Sequence, residues 1–453
     1  MHENQMEIIK VNQEMLQFIE SAASMYHTIA VMAEELEENG FQELRENDRW
    51  YLETYGKYYV KRNNSSLIAF TIGDISKHLY FKIAASHSDS PTFAIKDIPE
   101  IIGPEEYVKL NVEAYGGMID YSWFDRPLGV AGRVLVRMRD ALGKEWIENR
   151  LLHIEKDILM IPSLCVHFNR EVNKGMEFNR QADLCPLFSA GALKKGGFEQ
   201  MIADCIGVEP EDVLGKNLFL VNHQKGVIWG EREEFVSSAK LDDLQCAFTS
   251  LKGFLSASSN MDGEYSGINV LACFDNEEVG SNTKQGAMST FLPDTLKRIC
   301  LCLDKSEEDY YRAAAASFLI SADNAHAQHP NHPEKSDAQN VPHMNKGIVI
   351  KENASQKYVT DAVSRSILKA ICERADIPYQ SFANRSNVAG GSTLGNLSNT
   401  QFSVHAVDIG LAQLAMHSAY ETAGTADTCY AMRLFDAFYQ TDLQIEGSDC
   451  IHL

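Results

Sequence analysis

Ten cysteines occur in the 453 residues, yet no two of them stand in a Cys-x-x-Cys pair. That spacing excludes zinc-finger and thioredoxin-like chemistry. Cys300 and Cys302 are too close for an ordinary structural disulfide, so reduced and mostly buried thiols are expected. No stretch approaches the roughly 20 apolar residues of a membrane span. Met1-His2-Glu3-Asn4-Gln5 lacks a basic region leading into an apolar one, so no secretory leader is expected and the cytoplasm is the expected location. Positive charge is in deficit, with 41 basic against 63 acidic residues and a formal net charge of -22. Such a field repels phosphate backbones and anionic lipid, so neither nucleic acid nor membrane is an expected partner. A substrate with a free ammonium terminus would instead be drawn in. The glycine segment Ala389-Gly390-Gly391-Ser392-Thr393 is not followed by Gly-Lys-Ser/Thr, which excludes a phosphate loop and leaves a turn or a close backbone approach to substrate. There are no repeats, and no low-complexity tract beyond the loop 326–343.

What is present reads as a large α/β protein interrupted by an insertion. The chain exceeds the size at which one hydrophobic core usually stops growing. Helical spacing, with Ile29, Met32, Ala33 and Leu36 ahead of a stop at Gly40, predicts two opening helices. Continuous apolar runs at 67–70 and 79–85, and again at 268–274, suit strands covered on both faces. Short strands within 108–112 and 133–137, among glycine, aspartate and proline signals, mark a different texture. Residues 96–235 are therefore read as an inserted, largely β domain, with 1–95 and 236–453 forming the α/β domain. Helices are expected over 241–255 and near 310–318, and another is expected to begin at Met416-His417-Ser418.

Several strand ends carry groups able to hold a cation. His87-Ser88-Asp89 closes a buried run, and residues two apart on a strand project to one side, so Asp89 can support His87. Asp275-Asn276-Glu277-Glu278 follows 268–274 at the edge where ionised side chains gather in such sheets. If Glu278 binds a cation, its neighbour Glu277 can face a water as general base. Asp242 and Asp243 open a helix, where either could cap the helix or bridge two ions. Asp323 and His326 follow the apolar run 318–320, and His417 follows 406–409. Singly, each group has an ordinary structural explanation, such as a capped histidine or a solvated acidic turn. Together they supply oxygen and imidazole ligands without thiolate, the donor set of a catalytic zinc site with open positions.

The segments SHSDSP, YGGMIDYSWFDRPLGVAGRV, KLDDL, FDNEEVGS, SADNAHAQHP and AQLAMHSAYETAG resemble, in order and spacing over nearly the whole chain, the aspartyl aminopeptidase family. The resemblance implies a mixed central sheet flanked by helices, of zinc-exopeptidase type, with a β-rich dimerisation insertion at 96–235. It implies two zinc ions per subunit, with cobalt or manganese able to share the ligands, peptide substrates, and a homo-oligomer built from dimers, commonly a tetrahedral dodecamer. By the same resemblance His87 and Asp323 hold one zinc, Glu278 and His417 the other, and Asp242 bridges them. Glu277 is then the catalytic base, and Asp89 the carboxylate that orients His87. His326, Lys351, Tyr358 and His167 fall where the family contacts substrate, His167 by reaching an active site from the insertion. The chain reads Leu-Asp-Asp where Leu-Asp-Asn is usual, so Asp243 is expected to cap its helix or, alternatively, to add charge near the metals. Lys351 would favour an acidic first residue, unless it is a surface lysine on a strand edge. Preference for neutral or basic residues, a two-zinc amidohydrolase or deacylase, and a silent assembly protein are the competing functions.

Overall fold

A computed structural model describes residues 2–76, 78–259 and 266–453. The chain divides into two compact units. One comprises Met1–Asp89, Gly226–Met416 and Glu421–Leu453, and the other Ser90–Lys225 with His417–Tyr420.

The first unit is built on a nine-stranded sheet in the order Gln42–Leu44, Lys57–Arg62, Ser66–Ile72, Ile268–Phe274, Phe81–His87, Phe318–Ala322, His405–Gly410, Ile348–Glu352, Tyr379–Ala383. Its four central strands, from Ile268–Phe274 to His405–Gly410, are mutually parallel, while flanking strands run antiparallel, so the sheet is mixed. Every residue of Phe81–His87 and Ile268–Phe274 is buried, which is why these sequences are unbroken rather than alternating. Successive residues still serve opposite faces. Ala84, Leu271, Cys273 and Ile320 pack with the helices Met25–Glu38, Leu241–Ser259 and Thr425–Gln440. Ile83, Ala85, Val270, Ala272 and Leu319 pack with Phe291, Leu296 and Ile299 of the helix Phe291–Cys302. A second, five-stranded sheet orders Val227–Trp229, Phe235–Ser238, Glu421–Gly424, Ala412–Leu414 and Ala325–His326.

The second unit centres on a six-stranded sheet ordered Glu145–Leu159, Leu128–Arg139, Val213–Val221, Thr92–Ile102, Tyr107–Tyr115, Leu187–Ala190, antiparallel throughout. Its core includes Phe93, Leu110, Val130, Val134 and Leu218, covered by Phe198 and Ile202 of the helix Gly197–Ile206.

The two opening helices are present as His2–Ser21 and Met25–Glu38. Two helix expectations need correction. The helix expected near 310–318 is Glu307–Ala315, because Ser306 and Asp309 form a reciprocal capping box that starts it earlier. Phe318 opens a strand instead, its apolar run pairing with Lys82–Ala84. Nor does His417 begin a helix, for it lies in a turn, with positive φ, between the strands Ala412–Leu414 and Glu421–Gly424.

Gly410 ends the parallel set at a close approach of the chain to itself. A Cβ there would lie 2.2 Å from the carbonyl oxygen of Asp323. Gly410→Ala must therefore push Asp323 aside, and overpacking of this kind costs about 1–3 kcal/mol. A lower denaturant midpoint at unchanged slope, by that cost divided by the slope, is expected, and an unaltered midpoint would show that the contact is relieved cheaply.

Candidate metal centre

Parallel pairing sets the site. His87 lies opposite Phe274, and Ser321 opposite Ala85, so three chain segments leave the sheet at one edge carrying Asp89, Asp275 to Glu278, and Asp323. The Ser88 amide donates to the Phe274 carbonyl at 2.8 Å, holding the first two together. Asp89 extends this tie: its carboxylate accepts the amides of Glu277 and Glu278 at 3.1 and 3.2 Å. The Asp89 carbonyl lies 3.0 Å from His87 Nδ1, with its carboxylate at 3.4 Å. A carbonyl can only accept, so Nδ1 carries a proton and Nε2 is the nitrogen that faces the cluster, able to give a lone pair to a cation once its own proton is released.

Around that nitrogen are carboxylates. His87 Nε2 is 3.5 Å from Asp242 Oδ1 and 4.0 Å from Asp243 Oδ2. Ligand atoms of His87, Asp242, Asp243 and Asp323 lie within 4.8 Å of one another, as do those of His87, Glu277 and Glu278. Asp242 and Asp243 belong to the stretch assigned to the helix Leu241–Ser259, but their backbone angles are not helical and the peptide between them is cis. The Asp242 amide donates to Glu421 at 3.0 Å. The Asp243 carboxylate accepts the His87 amide at 3.1 Å. Asp243 is thus a member of the buried nest, not the helix cap that was favoured from sequence. Asn324 supports the arrangement from behind, donating to the Leu241 carbonyl and to the side chains of Gln245 and Gln413.

Burial dominates the electrostatics. It pushes the carboxyls of Asp243, Glu278 and Asp323 above their ordinary range, helped at each by the charge of Asp242 and opposed by His87 or, at Asp323, chiefly by Lys351. Glu277 rises to about 8 for the same leading reason. Burial would lower the His87 pKa, but Asp243, Asp242 and Asp89 outweigh it and raise the imidazole well above its usual value. This crowd of acids around the His87 imidazole fits a divalent cation: oxygen and nitrogen donors converge, and a cation would relieve the repulsion that protons otherwise relieve. Cys246, next to Asn324 Oδ1 at 3.2 Å, stays a thiol because burial and Asp243 raise its pKa.

Lys351 is buried, in a strand flanked on both sides, so the surface-edge reading is incorrect. Its ammonium donates to the Asn324 carbonyl at 2.8 Å and lies 3.5 Å from Asp323. Burial acts to lower its pKa, yet Asp323 overcomes this and keeps it charged. Tyr358 is buried beside it, its ring centre 5.6 Å from the ammonium. His326 is exposed and lines a cavity of about 310 Å³ with His329, Lys335, Asn384 and Arg385. Two expected residues belong to the second unit. His417 has its Nδ1 against the Gly117 carbonyl. His167 is exposed in a turn.

Sequence reasoning did not single out Glu421 or the supporting role of Asn324. Both were visible as polar residues beside motif positions, in YETAG and SADNAHA.

The fold and nest define a metal-dependent hydrolase, and comparison with known proteins narrows the class. The family described as "Aminopeptidase I zinc metalloprotease (M18)" matches residues 18–439. A "Probable M18 family aminopeptidase 2" of Clostridium acetobutylicum is 44% identical over 443 residues, covering 96% of this chain and 99% of that protein. "Aspartyl aminopeptidase 4" of Saccharomyces cerevisiae is 36% identical over 472 residues, covering 96% and 95%. Among solved structures, the Ape4 and Nbr1 complex contains a chain with TM-score 0.91 and 35% identity, covering 96% of this chain and 86% of that one. The mApe1 dodecamer of S. cerevisiae gives TM-score 0.82 at 26% identity, covering 94% and 95%. The chain belongs to the M18 aminopeptidase family and is a zinc-dependent aminopeptidase.

The raised acids set a pH signature for the metal-free protein. Glu277, ordinarily 4.5 and here about 8, binds a proton when folded that the unfolded chain releases. Its contribution to stability is full below the unfolded value and disappears as pH rises through the folded one. Chelated protein should therefore lose thermal stability from about pH 4.5 to about pH 8 more steeply than zinc-loaded protein. Parallel melting curves for the two forms would contradict this.

Proposed function

We propose that the protein removes single residues from the amino ends of peptides with two zinc ions held in this nest, and that Glu277 moves the proton. His87 and Asp323 would hold one ion, Glu278 and His417 the other, with Asp242 shared. The observation that carries the reading is the convergence of His87 with carboxylates from three strand ends, with Glu277 among them. Bound zinc supplies Lewis-acid polarisation of the scissile carbonyl and acidifies the attacking water. Glu277 takes that water's proton and returns it to the departing amine. Its position suits this, because its carboxylate lies within 4.8 Å of the ligand atoms of His87 and Glu278, close enough to reach a water held between them. Asp89 holds the Glu277 and Glu278 backbone in place and, through its carbonyl, fixes the His87 tautomer. Asp243 supplies a further buried carboxyl beside His87, and Lys351 pairs with Asp323.

Glu277→Gln should keep its zinc and lose roughly two to four decades of turnover, the range of a positioned acid or base. Metal content and kcat measured on the same sample decide it, and near-normal turnover would rule out the role.

A preference for acidic first residues is the finer part of the proposal. Lys351 is committed to Asp323, so the selecting charge is assigned more widely. The cavity beside His326 is lined by His329, Lys335 and Arg385, and Asp337 is its sole carboxylate among the described residues. The yeast relative's name, aspartyl aminopeptidase, points the same way. On aspartyl, glutamyl, leucyl and lysyl substrates side by side, kcat/KM is expected to be highest for the first two, and a lysyl preference would remove the idea.

The inserted unit is proposed to pair two copies, with His167 reaching substrate in such an assembly, and the dimers to form a dodecamer of the kind solved for mApe1. Support comes from its sheet, whose outermost strand Glu145–Leu159 exposes Trp146, Ile147 and Leu151, apolar groups of the sort a subunit contact covers. Cytoplasmic residence is supported by the ten free cysteines. No helix among the described residues is long and apolar enough to cross a membrane.

A further inference from the structure

Outside the buried nest, a second group of ligating side chains lies on the hairpin formed by the strands Gln444–Glu446 and Cys450–His452. Its register pairs Glu446 with Cys450, Ile445 with Ile451 and Gln444 with His452. Residues paired across a hairpin share a face, and residues two apart on a strand share it too. Glu446, Cys450 and His452 therefore stand together on one side, and all three are exposed. Ile445 and Ile451 occupy the other side and pack into the main core of the first unit. The ligand face is thus held outward by apolar burial beneath it.

The distances are those of a coordination sphere. His452 Nε2 lies 3.4 Å from Cys450 Sγ and 3.9 Å from Glu446 Oε1, and the three ligand atoms fall within 4.8 Å of one another. Zinc bonds of about 2.3 Å to sulfur and about 2.0–2.1 Å to nitrogen, at a tetrahedral angle, place those two atoms about 3.6 Å apart. A small rotamer adjustment of Glu446 would complete the third contact.

We infer that Glu446, Cys450 and His452 form a second, surface zinc site, distinct from the catalytic nest, with one coordination position open to water or an outside donor. On binding, the Cys450 thiol releases its proton to solvent and ligates as thiolate. One thiolate, one carboxylate and a neutral imidazole then balance the charge of the dication. Sulfur separates this site chemically from the nest, whose candidate ligands are oxygen and nitrogen, and it favours a borderline-soft cation such as zinc over magnesium or calcium.

The test uses that sulfur. Full-length protein stripped of metal under reducing conditions is titrated with cobalt(II), which gives an intense near-ultraviolet charge-transfer band only when a thiolate is bound. The wild type is expected to develop this band, complete once the two positions of the nest and one further equivalent of cobalt are filled. Cys450→Ser should lose it, bind one equivalent less in equilibrium dialysis, and keep full zinc-dependent aminopeptidase activity. His452→Ala should weaken the band at least tenfold in cobalt concentration. A wild type without the band, a Cys450→Ser protein that retains it, or a band that grows only in large cobalt excess would each overturn the assignment. None of these outcomes touches the peptidase reading, which rests on other residues and another readout.

Discussion

Like charges gathered out of water are the constraint on which the rest of this molecule depends. Asp242, Asp243, Glu277, Glu278 and Asp323 converge on the His87 imidazole at the ends of wholly buried strands. An uncompensated crowd of this kind would be driven apart or forced to take up protons. The chain meets part of the cost with Lys351 against Asp323 and with amides donated to Asp89 and Asp243. The remainder is what a bound dication relieves, so affinity for metal is written into the repulsion itself.

The supporting shell explains why so many polar groups can be buried together. Asn324 reaches Leu241, Gln245 and Gln413, tying the ligand-bearing stretch at 241–245 to the strand that carries Asp323. Glu421 holds the Asp242 amide in place. Gly410 gives the Asp323 backbone room that any side chain would fill. Each of these acts through backbone position, and each keeps a ligand in one orientation while leaving the reacting space clear.

Much of this was legible from sequence. The buried strands were visible because two-sided burial leaves no polar alternation, as in Phe81–His87 and Ile268–Phe274. The acidic and histidine positions were visible because they follow such runs. Other features were hidden for stated reasons. Asp243 looked like a helix cap because capping and ligation use the same residue at the same place, and only the third dimension shows its oxygen on the His87 amide. For Lys351 the strand-edge alternative stayed open because its strand is short and its antiparallel partner lies more than fifty residues away, at Ile409–Gly410. The turn at His417 misled because its flanking sequence has helical composition, whereas the strands on either side are only three and four residues long.

The parallel arrangement of the central strands bears on how the protein comes to be loaded in the cell. Antiparallel neighbours can pair as soon as they are made, but here His87, Glu278 and Asp323 meet only after strands widely separated in the chain have been laid side by side. His87 precedes Asp323 by more than two hundred residues in the chain. The full cluster is therefore a property of the finished sheet and not of any one segment of the chain.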